Sequence, residues 1–206
     1  MGVGKMIITS VKNEVFTKFA SGDITGGKER LLELMTELDC NSSTEEKRMV
    51  IYNLSVACRM LGDEKGAKFY IKQIKNIIGS DDIYKNSNET KGAYTDVLIF
   101  YMDYYPMEKS EKRKVYSDNY DFYMNIPDKI ERALMSESNM YLLDEDYREV
   151  YETLYTLHNC MIENKDDQEM ISKLKFVRNE VIADLKIHST SYYNKITEFL
   201  NASTLG

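Results

Sequence analysis

The sequence predicts an all-α protein, a right-handed solenoid of about five antiparallel helix hairpins in a single domain over residues 1–206. Three observations carry this reading. Residues 11–36 reappear, without a gap, as residues 51–76; only two prolines, Pro106 and Pro127, occur; and strand-like alternation of apolar and polar residues is scarce. A fixed period of this size is the mark of stacked helical pairs, and scarce proline permits long helices nearly everywhere. In the repeat, Asn13/Asn53, Gly22/Gly62, Asp23/Asp63, Gly26/Gly66 and Lys28/Lys68 are identical, and Leu31/Ile71, Leu34/Ile74 and Leu38/Ile78 keep an apolar rhythm at helical spacing.

The helices are bounded by clusters of Gly, Asn, Asp and Ser. The first ends at Ser21-Gly-Asp23 and the second at Asp39-Cys-Asn-Ser-Ser-Thr44. Leu61-Gly-Asp63 and Gly79-Ser-Asp-Asp82 close the repeat copy, followed by Lys85-Asn-Ser-Asn88, Tyr105-Pro106 and Asn125-Ile-Pro127. Asp144-Glu-Asp146, Asn164-Lys-Asp-Asp167 and His188-Ser-Thr190 divide the rest. Ten helices are expected between these breaks. Ser43 or Thr44, followed by Glu46 or Lys47, and Ser80 to Asp82 place short side chains that bear oxygen at helix N-termini, the oxygens at the first site coming from Ser43 and Thr44, while Gly22 and Gly62 suit the left-handed residue after a helix. Taking the helices in pairs puts the turns within pairs at Gly22, Gly62, Tyr105, Glu145 and His188.

Composition narrows the classes of function. Hydrophobic residues at 43% and charged residues at 30% are a folding balance. The net charge is −7, with basic residues dispersed among acidic ones, so direct nucleic-acid binding is not expected. Three cysteines, Cys40, Cys58 and Cys160, make no disulfide framework and fit a reducing, cytoplasmic setting. No apolar run reaches the roughly 20 residues of a membrane span, and no signal peptide is read. Gly2-Val-Gly-Lys5 lacks the spacing of a phosphate loop, and Met6 stands where myristoylation wants Ser or Thr.

Catalytic and metal signals are weak, so no enzyme, cofactor or metal is expected. His158 and Cys160 are two apart and point to different helix faces. Asp81-Asp82, Asp144-Glu-Asp146 and Asp166-Asp167 stand at helix starts, where carboxylates favour the positive end of the dipole; their expected role is capping. Sixteen tyrosines against no tryptophan, crowded between Tyr94 and Tyr123, are expected mainly as packing between long helices, a few of them lining a groove.

Residues 51–76 resemble a tetratricopeptide repeat. Ile51-Tyr-Asn-Leu-Ser55 is similar to the opening Trp-Tyr-Asn-Leu-Gly of that motif, Gly62-Asp63 matches its turn, Ala67 its small residue in the second helix, and Ile71 and Ile74 the next core positions. Asp146-Tyr-Arg-Glu-Val150 resembles the same turn, and Gly27 takes the small-residue slot near the N-terminus. The period exceeds the family's usual 34 residues, and such elongated repeats resemble the peptide-sensing domains of the Rap, PlcR and arbitrium-receptor group of bacterial and phage regulators. No helix-turn-helix segment of the DNA-binding members is read at the N-terminus.

The resemblance implies a binding module whose first helices line a concave groove, with Asn53 hydrogen-bonding the backbone of a bound peptide. Asn13 is its counterpart one repeat earlier. Tyr52 and Arg59 are expected beside Asn53, and Arg132 and Asn139 on a comparable face further on. The expected partner is a short peptide or protein segment, with a role as a regulator in a bacterium or phage. The alternative is a structural or inhibitory protein that docks through its acidic surface or self-associates as a homodimer.

Overall fold

The structure, a computed structural model, describes residues 3–202, with side chains from residue 6 onward; Gly2, part of the Gly2–Lys5 reading, lies outside the described residues. The described chain is all α, with no strand. It forms two compact units, Met1–Pro106 and Met107–Gly206, each described by itself.

In the first unit, α1 (Val3–Ser10), a π-helical stretch (Val11–Val15) and α2 (Phe16–Ala20) run into one another. Then come α3 (Ile24–Glu37), α4 (Thr44–Met60), α5 (Glu64–Ser80), the short α6 (Asp82–Asn86) and α7 (Lys91–Met102). Between the predicted breaks at 79–82 and 85–88 stands a turn of helix, begun where the Asp81 carboxylate accepts from the Tyr84 amide, so that, with the continuous run over 3–20 counted once, the described residues form eleven helices rather than the expected ten. All ten predicted breaks separate helices, and the π stretch is the one interruption inside a predicted helix. Helix α4 opens with Ser43 as its cap, as expected, and closes a capping box: Ser43 Oγ accepts from the Glu46 amide, and the Glu46 carboxylate accepts from the Ser43 amide.

The turns at Gly22 and Gly62 are the same structure twice. Each glycine has positive φ, +83° and +73°. Asp23 N donates to Lys18 O at 2.9 Å and Asp63 N to Cys58 O at 2.8 Å, the long bond of a Schellman ending. Each aspartate then accepts, at 2.9 Å, from the amide of Gly26 or Gly66. A Cβ on either glycine would stand 2.2 or 2.4 Å from the capping carboxylate, which explains why both copies carry Gly there. At Ala67 and Gly27 the second helix lies close against the first, and both are buried. One core holds Ile7, Val11, Val15, Leu31, Leu34 and Leu54, and the next holds Ile51, Ile71, Ile74, Ile78, Val97 and Phe100.

In the second unit α8 (Lys109–Tyr123) is followed by a 3-10 turn (Pro127–Lys129), α9 (Ile130–Leu143), α10 (Tyr147–Glu163), α11 (Gln168–His188) and α12 (Thr190–Ala202). The α9–α10 turn reproduces the first two: Asp146 N donates to Tyr141 O at 2.9 Å, and Asp146 caps α10. Here the left-handed residue is Glu145, at φ +60°. Glu149 replaces the cap glycine, and the cap bond stretches to 3.4 Å. The turn after His188 is of another kind, with Ser189 extended. The core of this unit runs through Leu134, Leu154, Leu157, Leu174, Leu185 and Ile196. Asp81, Asp146 and Asp167 each cap a helix, as expected of the acidic clusters.

Candidate functional site

The predicted binding residues fall into separate surroundings. Asn53 is 9% exposed, and its Nδ2 donates at 2.6 Å to Met49 O, one turn back in its own helix. Asn13, its repeat counterpart, is exposed on the π stretch, because a wider turn there alters the register of side chains around the helix. Tyr52 and Arg59 do meet, through a third residue: Tyr52 packs edge-on against the Phe100 ring at 6.0 Å, and the Arg59 guanidinium sits 5.1 Å from the same ring. Arg59 also pairs with Asp103. In the second unit Arg132 donates to the Tyr123 hydroxyl at 3.1 Å and lies over its ring, while Asn139 is half-buried on α9.

A different group of residues forms the most site-like surface. From Lys65 to Ser80 the sequence holds four lysines and no acidic residue. Lys65, Lys68, Lys72 and Lys75 are spaced three, four and three apart, which sets them along one side of α5. Ala67, Ile71, Ile74 and Ile78 occupy the other side and are buried. The lysine side meets the C-terminal end of α7. Tyr101 and Tyr105 stack there, centroids 4.5 Å apart, and the Tyr105 hydroxyl donates to Lys68 O at 3.2 Å. The Lys68 and Lys72 ammonium groups stand 5.1 and 5.7 Å from the Tyr105 ring, and that of Lys75 5.3 Å from Tyr101. Such contacts hold a cation beside an aromatic face while leaving its N–H groups free to donate.

Beside this row lies an open depression of about 560 Å³, lined by Lys65, Lys68, Phe69, Lys72, Gln73, Asn76 and Tyr105. Phe69 is 63% exposed at its edge. Among the described residues none of the four lysines takes part in an ion pair. The reading of basic residues as dispersed among acidic ones therefore fails over this helix. A window free of acids, with Lys at helical spacing, was the available signal; that Tyr101 and Tyr105 lie beside the row is a tertiary fact.

Lys68 differs in its pairing from the residue it matches in the repeat. Its counterpart Lys28 donates at 2.9 Å to Asp63, the cap of α5. The bond to Asp63 raises the Lys28 ammonium above its ordinary value and lowers the Asp63 carboxyl below its own. Burial pushes the Cys58 thiol up. Asp103 stands as far from Lys68 in sequence as Asp63 does from Lys28, but Arg59 holds it.

Elsewhere, chemistry is sparse. His158 is buried edge-on to Phe199, and Cys160 is half-buried on the same helix. Among the described residues, no group of three His, Cys, Asp or Glu is arranged to hold a metal ion, and no helix is long and apolar enough to cross a membrane. No family model matches the chain, and neither a curated protein nor a solved structure matches it.

Proposed function

We propose that this chain is a non-catalytic helical-repeat module that binds a peptide or protein segment, and that the lysine side of α5, with Tyr101, Tyr105 and Phe69, is where the segment lies. The observation that carries the reading is the row of four unpaired lysines beside an open depression in a chain of net charge −7. A depression this open suits a side chain entering from a larger partner better than it suits an enclosed small molecule. The finer architecture belongs to the same proposal: a right-handed stack of antiparallel pairs akin to tetratricopeptide repeats. The turn shared by Gly22, Gly62 and Glu145 supports it.

Peptide-array screening of the full chain, followed by amide-shift mapping of each hit, tests the proposal. Hits should shift Lys68, Phe69, Lys72 and Tyr105. Hits that map elsewhere, or an array without hits, would remove it.

A further inference from the structure

We infer that the segment bound on α5 is acidic, carrying several closely spaced carboxylates and one large apolar side chain, and that it belongs to a separate partner protein. This rests on the proposed function above. The first argument is internal to the repeat. In α3 the positions matching Lys65, Lys68, Lys72 and Lys75 hold Thr25, Lys28, Leu32 and Met35. Leu32 and Met35 pack half-buried against the first core. Nothing in the architecture of a pair therefore demands lysine at these places; the row is a property of α5 alone.

Electrostatics then selects the occupant. Four ammonium groups along about 15 Å of helix repel one another and strongly favour carboxylates. A neutral segment laid over them would strip water from charges and return no partner. Phe69 at the rim supplies an apolar contact that inorganic anions cannot use. Nucleic acid fits worse: Tyr101 and Tyr105 are stacked on each other with lysines against their rings, so they offer no open platform for bases.

A second copy of the chain is a poorer source of closely spaced carboxylates, because residues of its acidic clusters are engaged in its own fold, Asp82 with Lys85 among them. Asp63, Asp81, Asp146 and Asp167 cap helices, and Asp103 and Asp144 are held by arginines. These carboxylates are already engaged in the fold.

The test uses the full chain and a labelled helical peptide of about 15 residues with four Glu and one Phe, compared by fluorescence anisotropy with its Gln and Lys counterparts and a single-stranded oligonucleotide. The Glu peptide should bind best and weaken as salt rises. K68E/K72E should weaken it by roughly tenfold or more and transfer preference to the Lys peptide. K68Q/K72Q, which adds no repulsion, should weaken it less, F69A should weaken it without changing the salt dependence, and K175E on α11 should have no effect. Equal binding of the Gln and Glu peptides at α5 overturns the acidic partner and leaves peptide binding standing; no binding of any peptide removes both. Preference for the oligonucleotide overturns the inference. So does sedimentation showing a dimer that K68E/K72E dissolves.

Discussion

Lys28 of α3 donates at 2.9 Å to Asp63, the residue that caps α5, so one ion pair ties the first helix pair to the turn of the second. The Asp63 carboxyl is lowered chiefly by Lys28 and next by the Gly66 amide. A lowered carboxyl contributes stability that is present above its ordinary value of 3.8 and is lost as the pH falls through the lower folded value. For Lys28 the sign reverses: its share is present below 10.5 and is lost as the pH climbs through the raised folded value. Lys28→Met should therefore flatten both the acid and the alkaline limbs of a stability–pH curve measured by circular dichroism in urea. Unchanged limbs would show that the pair is not formed in solution.

Glu145 occupies the left-handed position that glycine holds at the two other turns. A side chain there costs roughly 1 kcal/mol, and glycine removes the clash at some cost in chain entropy. Glu145→Gly is expected to stabilise the fold by about 0.5–1 kcal/mol. Gly62→Ala is expected to destabilise it by a similar amount. Chemical denaturation of both variants decides the matter.

Ala67 is fully buried where α4 and α5 approach. Leucine would add bulk at a fully buried position, so Ala67→Leu should cost about 1–3 kcal/mol. An unchanged thermal melt would mean that the pair does not close here.

Asn53 is buried, with its amide turned onto Met49 O. Asn53→Ala removes that bond, and the expected loss is about 1 kcal/mol of stability. Affinity for a segment on α5 should stay the same. A variant with unaltered stability and weakened binding would instead return Asn53 to the binding surface.

Helix content, the break positions, the two glycine turns and the acidic caps were legible because they are local. A left-handed glycine followed by a capping aspartate declares itself within five residues, as Gly22-Asp23 and Gly62-Asp63 do. The apolar rhythm of Leu31/Ile71 and Leu34/Ile74 needed nothing beyond helical spacing to mark a buried face. Sequence identity between repeat positions did not carry over into identical surroundings. Asn13 is exposed and Asn53 buried, because the π stretch alters the side-chain register in one copy and not in the other. Lys28 is paired with Asp63, whereas Lys68 lies beside the Tyr105 ring and the aspartate at the matching separation, Asp103, is paired with Arg59. Composition along the chain counts charges, but which of them cancel depends on residues brought together from 35 or 44 positions away. The lysine surface of α5 exists only once that pairing has been settled by packing.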